Sequence, residues 1–100
     1  MHNLGPHRQW AFGPCFYCGR LTFKTDKQVP WQKTRDHLLP SALRKDIVNP
    51  ITVVACYSCN HTKHDILPEK FFQTIGSPIT NEKRLWIQEA YRQVELPIPR

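Results

Sequence analysis

Four cysteines stand in two matched pairs, and each pair has two residues between its sulfurs. Cys15 and Cys18 form the first pair, and Cys56 and Cys59 form the second, with residues 19–55 between them. Four thiolates in tetrahedral geometry are a preferred structural zinc site, and the short spacer lets both sulfurs of a pair reach one ion. The pattern therefore predicts one structural zinc. Two redox dithiols or two disulfides are the alternatives that the spacing leaves open.

Side chains suited to hydrolysis lie between and beside these pairs. Asp36 and His37 are adjacent, and Asn60 follows Cys59 directly. An imidazole with an ordinary pKa of about 6.5 is available near pH 7 to take a proton from water. Carboxylate and amide oxygens are hard ligands that suit Mg²⁺. The alternative for His37 is a surface or packing histidine, and for Asp36 a surface carboxylate paired with Arg35.

His64 stands four residues after Asn60, so a helix would place the two side chains on one face. An imidazole ligand at this position would favour a softer ion such as Mn²⁺. A phosphate contact and an ordinary exposed side chain are the alternatives for His64.

Periodicity and capping signals predict the elements that position these residues. Segment 34–38 and the β-branched run 51–55 are predicted strands, and alternation around Leu21 and Phe23 predicts another. Helical signals follow in the second half of the chain. They predict a short helix over 58–65, a brief one starting at Pro68, and a final one from Thr80 or Asn81 to about Glu95.

The chain has the length of one domain, and we predict a small zinc-stapled α+β fold over residues 1–100. Its parts are an irregular N-terminal arm over 1–14, zinc knuckles and a core over 15–65, and a helical C-terminal extension over 66–100.

The net charge is +6, with 14 Lys and Arg against 8 Asp and Glu. Such a basic balance suits an anionic partner, of which nucleic acid is the commonest, although a solubilising surface is the alternative. The start of the chain has no apolar run, and no stretch approaches the roughly 20 apolar residues that span a bilayer. We therefore expect no membrane partner and a cytoplasmic or other intracellular location, which includes a phage-encoded protein in a bacterial host.

Taken together, these motifs resemble the HNH endonucleases of the ββα-metal fold, in the branch with a four-cysteine structural zinc site. The resemblance rests on D-H-x-x-P from Asp36 to Pro40, on Asn49 before a β-branched strand, and on C-x-x-C-N-x-x-K from Cys56 to Lys63. It covers roughly residues 15–65, about half of the chain.

The resemblance implies a ββα core with a C-terminal helix and metal-dependent hydrolysis of DNA phosphodiester bonds. It makes His37 the general base, and Asp36 and Asn60 ligands of a catalytic Mg²⁺ or Mn²⁺. Asn49 matches the central asparagine that pins the loop and orients the base. Lys63 matches a basic residue near the substrate phosphates.

Other basic residues near the motif, among them Arg35 and Arg44, are candidates for phosphate contacts that would weaken with salt. A zinc-structured nucleic-acid-binding module that does not cut is the alternative function, and a redox or metal-buffering protein is a third. No separate specificity domain fits in the flanks, so we expect either a low sequence preference or a partner protein or homodimer that supplies specificity. DNA against RNA, and single against double strands, stay open.

Overall fold

The computed structural model describes residues 12–94, and in them two small antiparallel sheets combine with three α-helices. The predicted α+β class is confirmed. The elements, in chain order, are β1 Phe12–Pro14, β2 Leu21–Phe23, β3 Lys33–His37, a 3-10 turn Ser41–Leu43, β4 Thr52–Cys56, α1 Tyr57–Lys63, α2 Pro68–Ile75 and α3 Asn81–Gln93.

The first sheet is the hairpin of β1 and β2, and its turn carries the first cysteine pair. The strands are antiparallel, and the buried Thr22 hydroxyl donates to the Gly13 carbonyl at 2.8 Å. Gly19 has φ +81°, a conformation that a residue with a Cβ adopts at a cost. The sequence predicts an irregular arm through residue 14, but pairing with β2 makes residues 12–14 a strand. The rest of the predicted arm, 1–11, lies outside the described residues.

The second sheet is the hairpin of β3 and β4, and it leads directly into α1. The strands are antiparallel, with Lys33 opposite Cys56 and His37 opposite Thr52. β4 is almost wholly buried, as its β-branched composition predicts. Cys56 ends β4 and also caps α1, because its sulfur accepts from the backbone N–H of Cys59 at 3.4 Å.

Two further helices cover the core that these hairpins leave open. α2 begins with Pro68, and α3 begins after Thr80, whose hydroxyl accepts from the Lys83 N–H at 3.3 Å. Tyr91 on α3 donates its hydroxyl to the Glu69 carboxylate on α2. The apolar core contains residues from both hairpins and from α2 and α3, namely Tyr17, Leu38, Leu39, Ile51, Val53, Ala55, Phe71, Phe72, Ile87, Ala90 and Tyr91. None of the helices within residues 12–94 has the length and apolar character needed to cross a bilayer.

Candidate functional site

The four cysteines come together as one cluster. Their Sγ atoms all lie within 4.8 Å of one another, and Cys18 and Cys56 are 3.9 Å apart. Zinc–sulfur bonds of about 2.3 Å in a tetrahedron place the sulfurs about 3.8 Å apart. All four thiols are free of disulfide bonds. The donor set and its spacing therefore fit a single zinc ion, and we call this cluster the metal centre.

The thiols of the metal centre would lose protons when a metal cation binds. Burial raises the pKa of Cys15 to about 11 and raises the pKa of Cys59 as well, and repulsion from neighbouring thiolates adds to both. Burial also raises the pKa of Cys18, but hydrogen bonds from the Arg20 backbone and from the other cysteines outweigh it, so that pKa is lowered. Clustered thiolates repel one another unless a cation lies among them, so metal binding releases protons.

The metal centre ties the first hairpin to the junction of β4 and α1. Cys15 follows β1, whereas Cys56 ends β4 and Cys59 lies in the first turn of α1. The Phe16 N–H also donates to the Val54 carbonyl at 2.8 Å. Because Asn60 directly follows Cys59, a bound zinc would fix the part of α1 that carries this predicted ligand.

Asp36 lies in a buried network with two residues from other elements. The Tyr17 hydroxyl donates to Oδ2 of Asp36, and Nζ of Lys63 lies 3.2 Å from the same oxygen. Tyr17 and Lys63 are both fully buried, and Asp36 is 6% exposed. Burial raises the pKa of Asp36, while the positive charge of Lys63 and the Tyr17 hydrogen bond oppose that rise. Both contacts use Oδ2, and neither of them occupies Oδ1.

The structure places the Lys63 side chain inside the protein. Its ammonium is 5.7 Å from the centre of the Tyr17 ring, and it donates to the His37 carbonyl at 3.1 Å. A side chain with no exposed surface does not present its charge to a phosphate on the protein surface. Lys63 is an internal partner of Asp36, and its predicted place near a substrate phosphate stays a prediction that this burial disfavours.

Tyr17 is the residue of this network that the sequence analysis did not single out. It stands between two zinc-ligand candidates, and its ring packs edge-on against Phe16 and Phe71. Its position inside a C-x-x-C knuckle was the one available signal, because a residue there moves with the metal centre. The Tyr17 hydroxyl thus connects the metal centre to Asp36.

Asn60 has its side-chain amide orientation set by a hydrogen-bond chain. Its Nδ2 lies 3.0 Å from the Thr34 hydroxyl, which is itself 2.7 Å from the Ala55 carbonyl. The single hydroxyl hydrogen goes to that carbonyl, so Thr34 accepts from Asn60. Nδ2 therefore points at Thr34 and Oδ1 is left for a different partner. Thr34 and Asp36 are two apart on β3 and lie on one face of the strand.

A polar cleft of about 310 Å³ brings three of the four predicted catalytic residues together. Asp36, His37 and Asn60 all line it. The remaining lining residues are Arg35, Leu39, Ser41, Arg44, His64 and Asp65. The lining thus has two arginines, two histidines and two carboxylates, which suit a phosphate that enters together with a divalent cation.

His37 is held in the form that accepts a proton. Burial lowers the pKa of its imidazole, and the positive charge of Arg44 lowers it further, against a smaller opposing effect of Asp36. Arg44 is itself anchored, because its Nε donates to the Leu39 carbonyl at 2.9 Å. The imidazole is therefore neutral at pH 7, as a general base must be.

Asn49 is not brought to the cleft. It is exposed, has φ +57°, and its carbonyl accepts from Nε2 of Gln93 on α3 at 3.3 Å. Asparagine tolerates this left-handed conformation better than most residues, so the position has a backbone reason. Asn49 does not line the cleft that holds His37, and its predicted role in pinning the loop and orienting the base stays a prediction.

His64 lies at the cleft but not on the helix that was expected to carry it. α1 ends at Lys63, and His64 follows with φ +47°. Its exposed Nε2 is 3.7 Å from the Asp65 carboxylate. His64 lines the cleft together with Asn60. Its position leaves both predicted roles, metal ligand and phosphate contact, in place.

Among residues 12–94, the four cysteines are the one group of three or more Cys, His, Asp and Glu side chains arranged to hold a metal ion. A second ion in the cleft would have to be held by fewer protein atoms. Asp36 and the amide oxygen of Asn60 fit that pattern, since Mg²⁺ usually keeps several waters and takes only one or two carboxylates.

No protein-family model matches this chain, and no curated protein or solved structure matches it either. Its function therefore has to be argued from the metal centre and the cleft.

Proposed function

We propose that this protein is a metal-dependent endonuclease of the HNH type, which hydrolyses phosphodiester bonds of DNA and uses its zinc only as a structural fastener. One observation carries the proposal, namely that Asp36, His37 and Asn60 line a single cleft together with Arg35 and Arg44. The succession of the β3–β4 hairpin and α1 supports a ββα core of this class.

Asp36 and Asn60 would hold one Mg²⁺ or Mn²⁺, with Oδ1 of Asp36 as the carboxylate ligand because Oδ2 is engaged by Tyr17 and Lys63. His64 is a further donor for the softer Mn²⁺. When bound, such an ion supplies positive charge that stabilises the transition state and the departing oxygen. The guanidinium group of Arg44 is fixed by its bond to Leu39 and can hold the substrate phosphate.

His37 accepts one proton in the reaction, and solvent supplies the other. Neutral His37 takes a proton from a water molecule, and the water oxygen forms a bond to phosphorus. The bond from phosphorus to the 3′ oxygen breaks, and that oxygen leaves as a hydroxyl after taking a proton from solvent. The products carry a 5′ phosphate and a 3′ hydroxyl. Tyr17 and Lys63 act as positioning residues, because they hold Asp36 and touch neither substrate nor ion.

A non-cleaving nucleic-acid-binding module is the second candidate, and one contact favours it. The Lys63 ammonium lies 3.2 Å from the carboxylate of Asp36 and offsets its negative charge. A carboxylate that already has a buried counter-ion attracts a divalent cation less strongly. Under this alternative the cleft would hold a phosphate through its arginines without cutting.

Nicking of supercoiled plasmid separates the two candidates. Zinc-loaded protein is incubated with Mg²⁺, with Mn²⁺ and without added divalent ion, and we expect nicked product only when the ion is present. His37→Ala should lose about 10²–10⁴-fold in rate, the usual contribution of a general base. Because His37 is only partly buried, this variant should keep its zinc content and circular dichroism.

Asp46→Asn serves as the matched control for Asp36→Asn, because Asp46 is an exposed carboxylate that does not line the cleft. The control should cleave like the parent. Undiminished nicking by His37→Ala would show that His37 is not the base. Parent protein that binds DNA but cuts with neither ion would establish the non-cleaving module instead.

A further inference from the structure

A second hollow adjoins the cleft along α1. It has a volume of about 530 Å³ and is lined by Tyr57, Asn60, His61 and His64. Asn60 and His64 also line the cleft. The two cavities therefore share a wall, and a chain with its phosphate in the cleft can extend into the hollow.

The wall of the hollow contains a pair of stacked aromatic rings. Tyr57 and His61 are one helical turn apart, with ring centroids 5.7 Å apart and planes inclined by 14°. Tyr57 is half-buried beneath the exposed His61. A flat, paired aromatic surface beside a basic cleft has the chemistry to stack a nucleobase.

The backbone around this pair is firmly held, which makes the stack a pre-organised surface. The Tyr57 N–H donates to the Gln32 carbonyl at 2.9 Å, and the Ser58 N–H donates to the Pro30 carbonyl at 3.2 Å. Cys56 and Cys59 of the metal centre lie on either side of these residues. Binding a base there would cost little ordering of the protein.

We propose that this hollow is a nucleobase subsite, which receives the base next to the phosphate in the cleft and gives the protein a preference for unpaired, single-stranded nucleic acid. The proposal rests on the proposed function in that it takes the cleft to hold a substrate phosphate. A base inside a duplex is already stacked and paired, so it reaches the hollow only after unpairing. Because every base has a flat face, the preference concerns strandedness and not sequence.

Short oligonucleotides test the subsite without any need for cleavage. Zinc-loaded protein, with no Mg²⁺ or Mn²⁺ added, is titrated with fluorescently labelled single-stranded dA tetramer and with an abasic sugar–phosphate chain of the same length and charge. Stacking of a base is worth about 1–3 kcal/mol, so the parent should bind the dA tetramer about 5- to 150-fold more tightly. A hairpin duplex long enough to stay paired completes the set, and it should bind more weakly than a single strand of the same length; equal binding would overturn the preference for unpaired nucleic acid.

Substitutions on α1 test whether the Tyr57 and His61 rings cause the preference for the dA tetramer. The double variant Tyr57→Leu/His61→Leu removes both rings while keeping apolar bulk on α1, and it should bind the dA and abasic chains within about threefold of each other. Phe23→Leu removes an exposed ring on β2 that lines neither cavity, and it should keep the parent's ratio. Zinc content and circular dichroism of each variant check the fold.

The possible results are distinguishable. A parent that binds both chains equally overturns the subsite, as does a double variant that keeps the full ratio. If both rings prove necessary for the dA preference while plasmid is never nicked, the subsite stands and the endonuclease proposal fails. If plasmid is nicked but the parent binds the dA tetramer no more tightly than the abasic chain, the endonuclease proposal stands and the subsite fails.

Discussion

Replacing Lys63 by methionine tests the buried network most directly. The change keeps most of the length of the side chain and removes its charge, which leaves Asp36 without its counter-ion. The two charged atoms lie 3.2 Å apart, and their side chains are 1% and 8% exposed. At an effective dielectric constant of about 20, two unit charges at this distance attract by about 5 kcal/mol. Removing one partner of a buried pair costs about 3–5 kcal/mol, and we expect that loss in the free energy of unfolding at pH 7.

The loss should depend on pH, because it comes from an unpaired carboxylate. Burial raises the pKa of Asp36, and Lys63 opposes that rise, so removing Lys63 raises the pKa of Asp36 further. A carboxyl with a folded pKa above its unfolded value stabilises the fold in its protonated form, and that contribution is lost as pH rises through the folded pKa. The stability difference between Lys63→Met and the parent should therefore grow as pH rises above the ordinary carboxyl pKa of about 4.

Urea unfolding followed by circular dichroism measures the effect, with zinc-loaded proteins at one fixed free zinc concentration, since zinc binding shifts the apparent stability. With a urea dependence of about 1–3 kcal/mol/M, the midpoint should fall by about 1 M or more. Lys45→Met is the control, because Lys45 is exposed and its replacement should cost less than about 0.5 kcal/mol. Adding Asp36→Asn to Lys63→Met removes both charges and should recover part of the loss.

One outcome refutes this reasoning. If Lys63→Met is as stable as Lys45→Met, and instead reduces the salt dependence of DNA binding by about one phosphate contact, then Lys63 meets the substrate. The resemblance to HNH enzymes would then describe Lys63 better than its burial does.

Three further predictions concern the metal centre and the cleft. Elemental analysis should find one zinc per chain, and a chelator or mild acid should unfold the protein, because the thiols bind metal only when deprotonated; a folded, zinc-free protein would contradict this. Because burial, and then Arg44, lower the pKa of His37, the acidic limb of the cleavage rate should lie below pH 6.5. Arg44→Gln should move that limb to higher pH, whereas an unmoved limb would mean that another group titrates. Thr34→Val should raise the Mg²⁺ concentration for half-maximal cleavage about fivefold at constant zinc content, since about 1 kcal/mol of hydrogen bonding orients Asn60; an unchanged requirement would show that Asn60 is not a ligand.

Local signals predict the elements well. The predicted strands over 34–38 and 51–55 nearly coincide with β3 and β4, and the predicted final helix with α3. These features depend on alternation, β-branched content and capping residues such as Thr80, all of which act over a few positions. The first strand was missed for the same reason, because Phe12–Pro14 is a strand only through its ladder with β2.

The types and spacing of the residues also predict the four-cysteine cluster and the meeting of Asp36, His37 and Asn60 in one cleft. Two C-x-x-C pairs can satisfy a tetrahedral ion from two distant segments, and the motif places Asn60 directly after the last cysteine. When the four cysteines converge on one site, Asn60 therefore lies near β3, which holds Asp36 and His37.

Only the tertiary structure decided which charges face the solvent and which face each other. Lys63 and Asp36 are far apart in the sequence, and nothing in the local pattern distinguishes a buried ammonium from an exposed one. Tyr17 donates to the same carboxylate, and it reaches Asp36 because the knuckle folds against β4. The Asn49 carbonyl, by contrast, accepts a hydrogen bond from Gln93 on α3. Burial of a charge is settled by the partners that long-range packing supplies, since an ion leaves water only where a counter-ion and hydrogen bonds replace its hydration.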